Sequence, residues 1–508
     1  MTKTEELLRS KATRVNILLY LSAFVAFLGA PLFFFTTLIH RAHLPAEDVQ
    51  HRVDEFAQSS QINIPVYFEN SQAIPGLIEH TQQAIDASLA QQNLARNWGL
   101  TLQSRDAGKI DKLQDYVVRL EEHQTDVNAE SINSYKLSKT SKEIGILTHI
   151  ESLSASDLAS YICQVLLEIV FKDELAFIST LLADVPSTDV VFPYSPTYNV
   201  VFNLFVEDGR QVDWPIEEAV EFIQPVFDAL SNSSTFKPSS QIQYYSKLQS
   251  EPILNEDGTA RIIPQSDLAT FINYGEWNLN THDIAPSINF LVFFPQSTYA
   301  NVHLLAESSK TNSFLIPQWG GVHIYNANTK IDRDQKFKFR TAELNLIFDI
   351  FASQLFELLG VPNAPLSPAL RIAAFHRITT LKNLKRALNN LTALLKLSSS
   401  LNGISIPEST REHVLAALEN YDIAVQKLHQ NDFGAAVAFA GRSVEQSDKA
   451  FFEKEMVQQA YFPSEHKLAV FLPLLGPICS IVFFGLLKYL RSRKTEELSS
   501  EELKKKQI

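Results

Sequence analysis

Asp332-Arg333-Asp334 is the fragment of this 508-residue chain whose carboxylate spacing could hold a metal. Two aspartates one residue apart can share a divalent cation with a diphosphate, as in metal-dependent glycosyltransferases that use nucleotide sugars. Lys330, Lys336 and Lys338 surround the pair, and a solvated charged loop accounts for the same residues. A nucleophilic cysteine needs a base or an electropositive setting. Cys163 instead lies in SYICQVLLEIVF (160–171), where Leu167 and Val170 share its helical face, the setting of a buried and inert thiol. The thirteen histidines are scattered, and the chain contains no GxSxG elbow, HExxH pair, CxxC, Walker loop or GxGxxG. No catalytic residue, metal ligand or cofactor is therefore expected. The most distinctive polar motif is Trp319-Gly320-Gly321-Val322-His323-Ile324-Tyr325-Asn326. Paired glycines permit a tight turn or a close backbone approach before a strand. Two readings are open: a turn entering a core strand, or a partner-docking surface formed by Trp319, Gly320, Gly321 and Tyr325.

The elements that must position these residues divide into two kinds. From about 60 to 330, strand-like runs alternate with helical patterns. Strands are expected at 62–68 (INIPVYF), 115–120, 198–206, 241–245, 287–294 and near 322–325, with helices at about 74–96, 155–182 and after Pro215. This alternation predicts a mixed α/β layer structure. From about 340 to 458 the spacing is helical throughout, as in Leu381, Leu384, Leu388, Leu391 and Leu395, which predicts an antiparallel helical bundle. No internal repeat is evident.

Two apolar stretches bracket these regions, Val15 to Ile39 and Leu468 to Leu490, each long enough to cross a bilayer as a helix. Lys3, Arg9, Lys11 and Arg14 precede the first, while Lys488, Arg491, Arg493 and Lys494 close the second. The positive-inside rule then places both termini in the cytosol and translocates the segment between the spans. Phe33, Phe34 and Phe35 occupy the exit of the first stretch, so a retained anchor is expected in place of a cleaved signal. The expected organisation is a cytosolic end (1–14), span 1 (15–39), a lumenal mixed α/β domain (40–339), a lumenal helical region (340–467), span 2 (468–490) and a cytosolic tail (491–508).

That tail carries Lys505-Lys506-Gln507-Ile508, which resembles the dilysine retrieval signal of endoplasmic reticulum membrane proteins. Asn232 (NSS) and Asn390 (NLT) are sequons on the predicted lumenal side, hence candidate N-glycosylation sites. The whole chain has a net charge of −13, and basic residues concentrate at its ends. The middle lacks the clustered basic face that nucleic acid would need. A lone cysteine there, Cys163, excludes an internal disulfide.

Several of these stretches together resemble the phosphatidylinositol-glycan class S (PIG-S) family. They are GAPLFFFTTLIHRAHLP (29–45), VVFNLFVED, WPIEEAVEFIQPVFDAL (214–230), SQIQYY (240–245), INFLVFFP (288–295), WGGVHIYN (319–326) and the run 438–477 into the second apolar stretch. The resemblance implies a multi-pass endoplasmic reticulum glycoprotein that serves as a non-catalytic subunit of the GPI transamidase. That complex attaches preassembled GPI anchors to precursor proteins. The implied partners are a caspase-like catalytic subunit, Gaa1, and the class T and class U subunits. Two other readings compete: a lumenal glycosyltransferase using Asp332 and Asp334, and a cysteine hydrolase using Cys163.

Overall fold

A computed structural model describes residues 3–29, 31, 35, 41–69, 74–105, 108, 110–111, 114–122, 133–148, 154–182, 191–248, 251–271, 285–296, 302–327, 336–400, 405–454, 456, 473, 476–491 and 494–495. The helices are α1 (Lys3–Phe24, continued by a π-turn at Val25–Gly29), α2 (Ala46–Ser59), α3 (Leu77–Gln91) and α4 (Ala155–Gln164, with a π-turn at Val165–Val170). They continue as α5 (Lys172–Leu182), α6 (Ile216–Leu230), α7 (Gln265–Leu268), α8 (Thr341–Leu359), α9 (Pro368–Ser400), α10 (Glu408–His429) and α11 (Phe433–Phe451). The chain divides into two compact units, one of residues 47–389 with 416–446, the other of 1–46, 390–415 and 447–508.

The larger unit holds two five-stranded sheets. The first consists of β1 (Ile62–Glu69), β2 (Trp98–Ser104), β3 (Tyr116–Glu122), β4 (Asn133–Leu137) and β5 (Glu143–Thr148), in the order β2-β1-β3-β5-β4. Its pairings are parallel except β4 against β5. The following strands are β6 (Thr197–Val206), β7 (Val212–Asp213), β8 (Thr235–Tyr244), β9 (Ile253–Leu254), β10 (Ala260–Ile263), β11 (Ser287–Phe294), β12 (His303–Ala306), β13 (Ser313–Ile316), β14 (Gly320–Ile324) and β15 (Phe337–Lys338). The second large sheet runs β8-β6-β11-β14-β13, parallel except β13 against β14. The two sheets therefore share one topology. In each, a first strand leads through a helix (α3 or α6) to the edge strand. The chain then crosses to the third position, closes a hairpin and enters a helix (α4 or α8).

The likeness is one of connectivity, and the sequence carries no long internal repeat to announce it. The copies share connectivity but differ in what covers each face. In β1, Ile62, Ile64, Val66 and Phe68 are buried in the core, while the alternate residues face a polar surface. On that surface Arg119 of β3 bridges Glu69 of β1 and Glu143 of β5, each at 2.7 Å. In the second copy, alternation feeds two cores. Phe202, Leu204, Phe290 and Val292 pack with α6 and α8, while Phe205, Leu291 and Phe293 pack with Ile263, Phe271, Leu304 and Ala306. The second core is supplied by a small sheet, β12-β10-β9, contributed by segments between β8 and β13. Residues 105–115, which link β2 to β3 in the first copy, are too few to build such a cover.

Local signals explain the element ends. Gly76 precedes α3 in the left-handed region (φ 77°), and Leu77, Thr81, Ile85 and Leu89 are buried at one-turn spacing. The Ser154 hydroxyl accepts from the Asp157 amide and caps α4. The helix expected over 74–96 stops at Gln91 and β2 follows, because Trp98, Leu100 and Leu102 alternate toward the core. β8 begins earlier than expected, and Pro238 is tolerated within it because β8 is an edge strand. Helices α9, α10 and α11 meet α2 around Leu384, Leu388, Tyr421, Ala424 and Ala440, with Val53 and Phe56 packed alongside. Arg52 of α2 makes a two-pronged pair with Asp422 of α10 at 2.9 and 2.7 Å.

In the smaller unit, Ala12–Gly29 is long and apolar enough to cross a membrane, with a mean hydropathy of 1.5 over its 18 residues. It is the single such helix among the described residues, where two were expected. Of the second apolar stretch, residues 468–472, 474 and 475 lie outside the described residues, and 476–491 are helical. A Cβ on Gly485 would collide with Leu18 Cδ1, so the two apolar helices touch where glycine leaves room. The Ala42 amide donates to the Ile406 carbonyl at 2.9 Å beside the Arg41–Ile406 bridge.

Candidate functional site

The Trp319–Asn326 motif enters the second sheet beside its middle strand. Trp319 is buried in the core beneath the β12-β10-β9 sheet, and its carbonyl accepts from the Asn289 amide at 3.0 Å. A Cβ on Gly320 would collide with the Asn289 carbonyl oxygen, and one on Gly321 with Gln354 Oε1 of α8. The paired glycines thus bring β14 against β11 on one side and α8 on the other. Tyr325 is half-buried among Phe294, Phe337 and Phe339, with ring centroids 5.8, 5.8 and 4.9 Å away. Burial first, and then Glu343, push its phenol up to about 12. Between them, burial lowers His323 to about 4, and its Nδ1 lies 2.7 Å from the Ser313 hydroxyl. These residues close a core, and Trp319 offers no exposed ring to a partner.

The strongest electrostatic feature of the larger unit has no counterpart among the sequence expectations. Arg377 of α9 donates through Nε and Nη2 to the two carboxylate oxygens of Glu174 on α5, at 2.8 and 2.6 Å, and both side chains are 0% exposed. The Trp98 indole of β2 donates to the same carboxylate at 2.9 Å. The guanidinium lies 5.4 Å from the Tyr116 ring, 5.8 Å from Phe171 and 5.0 Å from Phe433 of α11. Burial alone would lower the Arg377 pKa, but Glu174 beside it holds the group well above its ordinary value. Lys142, whose amine donates to the Gln114 carbonyl at 2.8 Å, is lowered to about 8 by burial and then by the Arg377 charge. One ion pair thereby ties the first sheet to α5 and α9, with an aromatic ring of α11 over it. A sequence signal existed: Arg377 sits on the apolar stripe of Ala373, Leu381 and Leu384, where only a paired charge is tolerated.

The other sequence candidates fall as follows. Cys163 is buried against the first sheet's core, and burial pushes its thiol up, away from the reactive thiolate. Asp332, Asp334, Lys505 and Lys506 lie outside the described residues. Among the described residues no cluster of His, Cys, Asp or Glu could hold a metal ion. Asn232 is exposed in the turn after α6. Asn390 lies within α9, and its Nδ2 donates to Ser447 Oγ at 3.1 Å and Asp448 Oδ1 at 2.6 Å. A glycan on that nitrogen replaces one of its two hydrogens and would displace at least one of these bonds.

This fold defines a tandem α/β protein with long helices and an apolar helix of membrane-spanning length. Over residues 20–496 the chain matches the family model described as phosphatidylinositol-glycan biosynthesis class S protein (PIG-S), and it belongs to that family. It is 27% identical to the GPI transamidase component GPI17 of Saccharomyces cerevisiae over 498 residues, 93% of this chain and 91% of that protein. It is 26% identical to the GPI-anchor transamidase component PIGS of Homo sapiens over 321 residues, 59% of this chain and 58% of that protein. The GPI transamidase component PIG-S homolog of Schizosaccharomyces pombe is 26% identical over 338 residues, 64% of this chain and 60% of that protein. The aligned stretch thus spans less than two thirds of the human and fission-yeast relatives.

Proposed function

We propose that this chain is a GPI transamidase subunit of the endoplasmic reticulum membrane, supporting attachment of preassembled GPI anchors to precursor proteins. The observation that carries the reading is the class S family match, which runs from within the first apolar stretch to beyond the second. The subunit is non-catalytic and works with a caspase-like catalytic subunit, Gaa1, and the class T and class U subunits. Its membrane arrangement is two spans, at 15–39 and 468–490, with both termini cytosolic and residues 40–467 lumenal. The lumenal part comprises the α/β region to residue 339 and an antiparallel bundle of α9, α10 and α11. Lys505 and Lys506 act as a retrieval signal, and Asn232 is the better-placed glycan acceptor.

The physical support is of two kinds. Polar chemistry in the larger unit goes into holding elements together, as with Glu174 and Arg377. Gly485 also gives Leu18 a seat between the apolar helices, as expected for spans that pack rather than tether. Affinity purification of the tagged chain from detergent-solubilised membranes, with identification of every co-purifying subunit, tests the proposal. Recovery of the caspase-like subunit and its companions in stoichiometric amounts is the expected result. Recovery of the chain alone would overturn it.

A further inference from the structure

The β12-β10-β9 sheet has two faces, and among the described residues the core is built on one of them. Its inner face, with Ile263, Leu304 and Ala306, covers the second large sheet. On the outer face the register aligns Ile253 of β9 with Ile262 of β10, and Ile262 with Leu305 of β12. Neighbours across strands point to the same side, so these three form an apolar row. Ile253 is 62% exposed and Leu305 38% exposed, with Ile262 half-buried between them. Strand β9 is the edge of this sheet, and among the described residues no strand pairs with its outer side. Exposed Glu251, Glu256, Asp257 and Glu307 lie beside the row in sequence and outnumber the exposed lysines nearby, Lys247 and Lys310.

We propose that this outer face is a docking surface for a partner protein, which lays an extended segment across the three strands along the apolar row. That segment crosses from Ile253 past Ile262 to Leu305 with apolar side chains facing them, and carries Lys or Arg at its flanks. The acidic residues select the occupant. An anionic lipid surface would be repelled by Glu251, Glu256 and Asp257. A second copy pairing antiparallel about Ile253 and Leu254 would set Glu251 opposite Glu256, like charge against like charge. A basic-flanked apolar segment matches the apolar row and the acidic residues beside it together. The inference is independent of the transamidase role, because the partner is defined by its chemistry.

The test is photo-crosslinking of the full-length chain in its own membranes, with p-benzoylphenylalanine in place of Ile253 and, separately, of Leu305. Wild-type thermal unfolding of both purified variants shows that the sheet is intact. The expected result is an adduct from each position to one protein, mapped by mass spectrometry to an apolar segment flanked by Lys or Arg. Glu256→Lys with Asp257→Lys should lower the adduct yield roughly fivefold, as two acidic charges reverse. No adduct from either folded variant, an adduct to a second copy or to lipid, or a mapped segment without basic flanks overturns the proposal. Co-purification of transamidase subunits with the unmodified chain is scored separately and reports only on the role proposed above.

Discussion

Replacing Arg377 with methionine keeps much of the side-chain volume and removes the charge. Glu174 is then left fully buried, with the Trp98 indole still donating to it but no cation beside it. Stripping one partner from a buried ion pair costs about 3–5 kcal/mol, because the surviving charge has neither water nor counter-charge. For a unit of this size that lowers the melting temperature by roughly 4–6 °C. Glu174→Gln alone should be similarly damaging, since it leaves Arg377 among Tyr116, Phe171 and Phe433 without a carboxylate. The double variant removes both charges, while the amide oxygen introduced at position 174 can still accept from Trp98. Its cost should fall short of the summed single costs by about 2 kcal/mol or more. Thermal unfolding of the full chain in detergent, followed by tryptophan fluorescence, measures all three. Single variants within about 1 °C of wild type, or a double variant equal to the sum, would refute the reasoning.

Three further outcomes follow from particular contacts. Gly320→Ala drives a Cβ into the Asn289 carbonyl, so it should destabilise by roughly 1–3 kcal/mol, whereas Trp319→Phe keeps the core apolar and should cost less; equal stability of Gly320→Ala and wild type in a denaturant titration would contradict the close-approach account. Burial lowers Lys142 from its ordinary 10.5 to about 8, so the unfolded chain binds more protons between those values. Stability should therefore rise as pH climbs through that window, and Lys142→Met should flatten that part of the profile and stabilise the protein at pH 7. If Asn232 carries a glycan and Asn390 does not, Asn232→Gln abolishes the glycosidase-sensitive gel shift while Asn390→Gln leaves it in place. The reverse pattern would show that the bonds of Asn390 to Ser447 and Asp448 yield to a sugar.

Legibility in the sequence tracked how locally each feature is determined. Period-two runs such as INIPVYF and SINFLVFF located β1 and β11, because alternation and β-branching are properties of a few adjacent residues. The helical spacing of α9 to α11 was equally plain. The duplication was invisible because topology is set by which strands pair, and the two copies clothe that topology differently. One presents the Arg119 ladder on its second face, and the other buries Phe205 and Phe293 under an added sheet. Glu174 and Arg377 are 203 residues apart, and no local pattern joins them. Two readings of Trp319 stay open in the sequence because an aromatic next to two glycines suits a surface as well as a core. Only the register of β14 against β11, with Gln354 behind it, distinguishes the two. The Arg377 stripe position was the one long-range clue available in advance.

The most direct test of the central claim is GPI-precursor processing in cells depleted of this chain and complemented with wild type or Cys163→Ser. On the non-catalytic subunit reading, depletion makes unprocessed precursors accumulate while complete GPI lipid is still made. Both wild type and Cys163→Ser should restore processing, because the thiol is buried in the core with its pKa raised. Normal processing after depletion would contradict the account, and so would a Cys163→Ser chain that assembles with its partners yet leaves precursors uncleaved.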